Sequence, residues 1–214
     1  MRRRFFLIFL SAMINEYALA QGTQTQIKLP PTFAEPIKTE LKPFFELSEG
    51  EMEDLLKGEV ISQGKVTSPT KQEQEMKLTV AGVHPRNCTR AMRKLSQYEN
   101  YHQYIDFIKK SEYNQQTQKF SFMVDHALLP FPMVVGFKIA RITKAGNYQF
   151  LFEDGFLKGL TGQLIIRDVG KFCLMGLKSD WRGPESPIPN TIFGTFVQTV
   201  GKIGLERLIR VSLF

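Results

Sequence analysis

Several residue types that define common protein classes are scarce in this chain. It has 214 residues but only two cysteines, Cys88 and Cys173, which are too few for a disulfide framework. The two could pair in an oxidising compartment, and two buried free thiols are at least as good an interpretation. The three histidines stand alone, with no second ligand at metal spacing, so the sequence predicts no metal site.

Motifs of catalysis and of phosphate binding are also missing. There is no G-x-S-x-G nucleophile elbow. Gly155, Gly159 and Gly162 fall between predicted strands and are typical of turns or bulges. Asp125 and His126 are neighbours in a predicted strand, so their side chains would point to opposite faces and could not act as an acid–base pair. The sequence therefore predicts no catalytic residue and no cofactor.

The charges are not arranged for nucleic-acid binding. No block of five or six Lys and Arg residues occurs, so no nucleic-acid partner is expected. The formal net charge is +7, and it falls to +5 if residues 1–20, which carry three Arg and one Glu, are removed. A moderately basic chain of this kind could make peripheral contact with an anionic membrane surface.

The first twenty residues have the pattern of a secretory signal peptide. Arg2 to Arg4 give a positive start, an apolar run follows from Phe5 to Ile14, and Ala18-Leu19-Ala20 supplies the small residues of a cleavage site. The apolar run is too short to span a bilayer, and no later segment reaches that length. The sequence thus predicts export to the periplasm, with no transmembrane helix in the mature chain.

Residues 21–75 are predicted to be an N-terminal extension. Residues 21–45 read as a linker without a helix, because prolines recur through them at Pro30, Pro31, Pro36 and Pro43. A short helix is predicted over 48–57, since Ser48 and Glu51 form a capping-box pattern and Gly58 ends the run. A strand over 59–66 and a polar connection over 67–75 complete the extension.

Residues 76–214 are predicted to form one α+β domain. A strand over 77–83 leads to a helix after Pro85 and a helical turn over 98–107. Asn190 is expected to cap a long amphipathic helix with apolar residues at helical spacing. Between these elements, alternating apolar residues predict strands over 119–126, 133–143, 147–153, 160–168 and 171–181. A curved antiparallel sheet wrapped around the last helix satisfies this order.

Three segments carry a resemblance to a known family. Residues 95–101 (L-S-Q-Y-E-N-Y) look like the L-x-D-Y-E-N-Y stretch of START-like (SRPBCC) proteins, in the coenzyme-Q-binding and polyketide-cyclase branch. Residues 152–162 (F-E-D-G-F-L-K-G-L-T-G) resemble that branch's hairpin, and Ile188-Pro189 is similar to the entry of its last helix. The resemblance covers residues 76–211 and implies a secreted bacterial member with a helix-grip fold. It also implies a hydrophobic cavity for a lipid, isoprenoid, quinone or polycyclic ligand.

The residues expected to line such a cavity are mostly aromatic. The chain has 18 Phe, more than one small core obviously needs. Arg141 lies in an otherwise apolar strand and could meet a polar head group, with a salt bridge at the sheet edge as the alternative. The predicted ligand-binding residues are Phe122, Phe137, Ile139, Arg141, Phe150, Phe152, Met175, Phe193, Phe196 and Val200.

Three functions remain open at this point. The first is non-catalytic binding of a hydrophobic small molecule. The second is a cyclase- or hydrolase-like enzyme acting on an aromatic or polyketide substrate, for which Arg141, Glu153 and Gln163 are the polar residues available. The third is an envelope interaction module in which the aromatic residues pack against one another and fill the core.

Overall fold

The computed structural model describes residues 29–44, 46–125, 132–155 and 157–213. The predicted signal peptide and His126 lie outside these residues. The helices are α1 (Ala34–Leu41), α2 (Glu49–Leu56), α3 (Cys88–Leu95), α4 (Tyr101–Tyr104) and α5 (Asn190–Val211), with 3-10 turns at Pro31–Phe33 and Tyr98–Asn100. The strands are β1 (Ile61–Thr70), β2 (Glu73–His84), β3 (Ile108–Asn114), β4 (Lys119–Val124), β5 (Met133–Ile139), β6 (Gly146–Asp154), β7 (Thr161–Val169) and β8 (Phe172–Pro184).

The strands form one curved antiparallel sheet of eight strands in the order β1-β2-β8-β7-β6-β5-β4-β3. Helix α5 lies along β1 and β2 on the inner, concave face, and α3 packs beside it over β7 and β8. The predicted α+β class and helix-grip architecture are therefore confirmed. One continuous apolar core fills the space between the inner face and these two helices.

Three glycines let α5 approach the sheet closely. A Cβ at Gly64 of β1 would lie 2.6 Å from Gln198, and one at Gly82 of β2 would lie 2.9 Å from Ile209. A Cβ at Gly201 of the helix would lie 2.9 Å from Val80. The side of α5 that bears Gly201 is thus pressed onto the sheet. Among the described residues, no helix combines the length and the apolar composition needed to cross a bilayer.

The predicted linker over 21–45 is wrong in its second half, because α1 forms there. Pro36 is the third residue of this helix and lies within its first turn. Backbone N–H groups there have no intrahelical partner, so a proline removes no hydrogen bond. Ile37 and Leu41 of α1 are fully buried, and they pack with Leu55 of α2 against the outer face of the sheet. The extension is therefore a second layer of structure that covers part of the outer face.

The predicted helix over 48–57 is confirmed as α2. The Ser48 hydroxyl accepts a hydrogen bond from the backbone N–H of Glu51, and the Glu51 carboxylate accepts one from the backbone N–H of Ser48 at 2.9 Å. Gly58 follows the helix with φ of +86°, a conformation that favours glycine. The sequence signals of both helix ends therefore act as expected.

Two edge segments differ from the prediction for the same reason. The polar connection expected over 67–75 is instead a tight hairpin, since β1 continues to Thr70 and β2 begins at Glu73. Strand β3, over Ile108–Asn114, was not predicted at all. Both β1 and β3 are edge strands, and their polar residues face solvent, so neither shows a clear apolar alternation.

Asn190 begins α5 but does not cap it as predicted. The N-cap residue is Pro189, which offers no side-chain hydrogen bond. The Asn190 side chain instead accepts a hydrogen bond from the amide of Gln74 at 2.7 Å and donates one to Ser68 at 2.9 Å. It therefore joins the start of α5 to the β1–β2 hairpin.

Cys88 and Cys173 form a disulfide that joins the start of α3 to the start of β8. This pairing decides between the two interpretations left open by the sequence. Both cysteines are fully buried in the inner core. Structural disulfides are typical of oxidising compartments, so the bond is compatible with the predicted export.

Candidate functional site

An aromatic wall lines the inner face where α5 does not cover it. The wall consists of Phe122 on β4, Phe137 on β5 and Phe152 on β6. Phe137 stacks on Phe152 with ring centroids 5.0 Å apart, and Phe122 meets Phe137 edge-on at 5.9 Å. All three side chains are only half-buried. The strand register places Phe137 opposite Phe152, so cross-strand pairing holds the rings on one face.

Beneath the aromatic wall lies a buried floor. Ile139, Phe150 and Met175 are 3%, 7% and 4% exposed, and all belong to the inner core. A Cβ at Gly162 would lie 2.6 Å from the backbone oxygen of Lys178, and the Phe150 ring occupies the space above this glycine. Glycine in the motif over 152–162 therefore lets Phe150 lie flat on β7.

Helix α5 contributes a second apolar surface on the inner face of the sheet. Phe193 is 1% exposed and packs edge-on against Trp181 at 6.0 Å, which anchors the helix in the core. Phe196 and Val200 are half-buried and, with Gly204, lie four residues apart on one stripe of the helix. A Cβ at Gly204 would have no described atom within 4 Å. The stripe thus borders open space, unlike the side that bears Gly201.

We call these two surfaces, the aromatic wall and the Phe196–Gly204 stripe, together the apolar groove. Phe196 and the three rings of the aromatic wall pack against the same inner core. Of the ten residues predicted to bind the ligand, all except Arg141 lie on the inner face of the sheet or on helix α5. Their half-exposed rings pack against one another and still leave apolar surface open.

Arg141, the tenth predicted residue, is held by groups of the protein itself. Its guanidinium forms an ion pair with Glu99 at 3.2 Å and donates a hydrogen bond to the backbone oxygen of Ser96 at 2.5 Å. It also lies 4.5 Å from the ring centre of Tyr113, within range of a cation–π contact. This arrangement matches the salt-bridge alternative, and a contact of Arg141 with a ligand stays a prediction.

The resemblance motif over 95–101 explains this arrangement. The buried Tyr98 hydroxyl donates to the backbone oxygen of Ala140 at 3.1 Å and accepts from the N–H of Ile142 at 3.0 Å. Burial raises the pKa of Tyr98 well above its ordinary value, so the hydroxyl stays protonated and keeps both bonds. Tyr98 and Glu99 thus fasten the α3–β3 segment to the end of β5. Glu99 belongs to the same motif, but the sequence does not show its ion pair with Arg141.

The polar residues proposed for catalysis do not meet. Glu153 lies beside Lys119 and Lys138 on the outer face, where Lys119 forms an ion pair with Asp154 at 2.5 Å. Gln163 is opposite Gln149 on the outer face, because its neighbour Gly162 pairs with Phe150 on the inner face. Arg141 is engaged with Glu99 at the end of β5. The groove can therefore bury apolar surface, but these three groups cannot act together on one substrate.

Two surface depressions lie apart from the groove. One, of about 530 Å³, opens beside the β1–β2 hairpin at Ser68, Thr70 and Glu185. The other, of about 490 Å³, opens at Thr117 and Lys138 near the outer face. Both are open to solvent and bordered by polar residues, so neither has the apolar lining expected of a hydrophobic ligand site.

Buried His84 lies at the other end of the groove helix. Its Nδ1 accepts a hydrogen bond from the N–H of Arg86 at 3.1 Å. Burial lowers the pKa of His84, because the charged imidazolium would lose its hydration, while backbone groups of Arg86 and Ser212 oppose that shift. Ser212 follows α5, so His84 lies near the end of that helix.

Solved structures with little sequence identity to this chain share its fold. The aromatase/cyclase Zhui from Streptomyces sp. R1128 matches 64% of this chain and 93% of its own, with TM-score 0.54 and 9% identity. The protein TTHA0849 from Thermus thermophilus matches 64% and 97%, with TM-score 0.54 and 12% identity. A START superfamily protein from Mycobacterium smegmatis has TM-score 0.47 and 14% identity over 64% of this chain and 93% of its own. No protein-family model and no curated protein matches the sequence.

Proposed function

We propose that this protein binds a hydrophobic small molecule in the apolar groove. The observation that carries the proposal is that the aromatic wall and the stripe of α5 both leave apolar side chains half-exposed on the inner side of the sheet. Apolar surface left in water is unfavourable by about 25 cal/mol per Å². A contiguous apolar concavity on a folded domain is the usual form of a site for such a ligand.

The lining favours an extended or flat apolar ligand, such as a lipid, an isoprenoid or a quinone. Phenylalanine rings supply flat, adaptable surfaces, and the wall and stripe carry no charged side chain. A ligand that buries on the order of 300 Å² of apolar surface would gain about 7.5 kcal/mol before the entropy of association is subtracted. The binding energy would then come from desolvation and shape.

The binding is proposed to be non-catalytic. The polar residues available to a cyclase mechanism lie on the outer face or in the Arg141–Glu99 ion pair. The likeness to an aromatase/cyclase supports that second function at the level of the fold. Turnover of a bound aromatic or polyketide substrate would distinguish an enzyme from a carrier.

The place of action is proposed to be the periplasm. The signal-peptide pattern of residues 1–20 and the Cys88–Cys173 disulfide both support export. A carrier of apolar molecules in that compartment would exchange its ligand with membranes, so peripheral contact with an anionic membrane surface belongs to the same proposal.

A substitution in the groove tests the binding proposal. Phe196→Asp places a charge on the apolar stripe of α5, and it should abolish binding of a fluorescent apolar probe. Thr195→Asp is the matched control, because Thr195 is exposed on the same helix and the added charge is the same. Circular dichroism must show both variants to be folded. Unchanged probe binding by folded Phe196→Asp protein would reject the groove as the site.

A further inference from the structure

Helix α3 presents a basic face to solvent. Cys88, Ala91, Met92 and Leu95 form its buried side. Arg90, Arg93 and Lys94, which we call the basic face, lie on the opposite side, and the two arginines are exposed. No acidic residue occurs from 76 to 98 in the sequence. The charge of this helix is therefore of one sign.

The basic face is not neutralised by its neighbours. Within the described ranges, Arg90, Arg93 and Lys94 form no ion pair, whereas Arg141 and Arg167 each pair with a glutamate. Lys94 lies 5.3 Å from the ring centre of Tyr104, which leaves its charge uncompensated. The nearby acid, Asp168, accepts a hydrogen bond from the N–H of Cys88 at 2.9 Å, at the start of the helix.

The fold holds this helix rigidly. Its first residue is tied to β8 by the Cys88–Cys173 disulfide, and the Asn87 side chain caps it by accepting a bond from the N–H of Arg90 at 3.0 Å. Its buried side packs on α5, the helix that borders the apolar groove. A surface that contacts the basic face would therefore lie next to the groove helix.

We propose that the basic face of α3 docks the protein on anionic lipid head groups. Three cations on one convex helix face attract a layer of phosphates, and each cation near such a surface favours binding. A protein partner would be expected to use a pocket with an aromatic or apolar anchor, and a nucleic acid would need stacking aromatics. This inference rests on the proposed function, because the groove would draw its ligand from the membrane.

Vesicle binding tests the proposal without any ligand. We expect the protein to co-sediment with vesicles of phosphatidylcholine and phosphatidylglycerol far more than with phosphatidylcholine alone, and less at high salt. Replacing all three residues of the basic face by Gln should weaken binding on the order of 100-fold, since each charge contributes roughly 5-fold.

The matched control removes the same charge elsewhere. Lys77, Lys138 and Lys178 are exposed on the sheet, and their triple replacement by Gln should change vesicle binding only a few-fold. Equal losses in the two triple variants would overturn the proposal, because net charge alone would then account for binding. So would wild-type protein that ignores the anionic vesicles, the result expected if an acidic protein is the partner.

The two proposals fail in different ways in this design. The basic-face variant should still bind the apolar probe, and Phe196→Asp protein should still bind anionic vesicles. A protein that binds the vesicles but no probe would keep the docking surface and reject the groove. If the protein binds the probe and the basic-face variant binds vesicles as well as the wild type does, the groove is kept and the docking surface is rejected.

Discussion

Removing the Cys88–Cys173 disulfide should lower the free energy of unfolding by several kcal/mol. The bond closes a loop with a sequence separation of 85 residues. In the chain-entropy treatment, a loop of that length restricts the unfolded state by about 4.5 kcal/mol at 25 °C. A domain is stable by only about 5–15 kcal/mol, so the loss would be a large share of the total.

The assay is urea unfolding of the wild type, the two single Cys→Ala variants and the double variant. Because either single substitution already breaks the bond, each single variant should lose nearly as much stability as the double variant. A remaining difference of about 1 kcal/mol is expected from the methyl-sized cavities that the buried sulfur atoms leave. Single losses that add up to the double loss, or a double loss below about 1 kcal/mol, would refute the reasoning.

Two further predictions concern a glycine and a histidine. Gly162→Ala should destabilise the protein by about 1–3 kcal/mol, because the new methyl group would meet the Phe150 ring and the backbone of Lys178. Thermal unfolding measures the loss, and Gly50→Ala is the control, since a Cβ there meets nothing within 4 Å and should stabilise α2 slightly. The lowered pKa of His84 means that the unfolded chain takes up a proton first as pH falls below about 6.5. Its contribution to stability is thus complete above that pH and lost below it, with a slope of at most about 1.4 kcal/mol per pH unit.

The histidine prediction is checked by urea unfolding at a series of pH values in wild-type and His84→Gln protein. The variant should lose the part of the slope that His84 contributes, and it should keep the contributions of all other groups. Identical slopes in the two proteins would show that His84 does not titrate differently in the folded and unfolded states.

The sequence predicted the parts of the fold where local and global signals agree. Ser48 and Glu51 cap α2, alternating phenylalanines mark β4 and β6, and the helical spacing from Asn190 to Leu208 marks α5. In each case one face is apolar and is buried by the structure. The shared face of Phe122, Phe137 and Phe152 followed from the same alternation.

The remaining features depend on contacts between distant segments. Strand β3 (Ile108–Asn114) is polar because it is an edge strand, so its pairing with β4 leaves no periodic signal. Helix α1 contains Pro36, and only its packing on the outer face shows that the proline is tolerated. The partners of Arg141 come from segments more than forty residues away, at Ser96 and Glu99, which no local pattern links.

The pairing of the two cysteines also could not be predicted from the residues next to them in the sequence. Cys88 and Cys173 are separated by 85 residues, and nothing in the sequence shows that their Cα atoms lie 4.7 Å apart. Their proximity follows from the pairing of β2 with β8, which places His84 opposite Cys173. Long-range strand pairing therefore decides the redox state that two isolated cysteines leave open.

The central claim is that the apolar groove holds a hydrophobic small molecule. Native mass spectrometry of the purified protein, followed by organic extraction, tests it most directly. We predict one bound apolar molecule per chain in the wild type and none in folded Phe196→Asp protein. A folded wild-type protein that carries no such molecule and takes up none from a panel of lipids and quinones would contradict the claim.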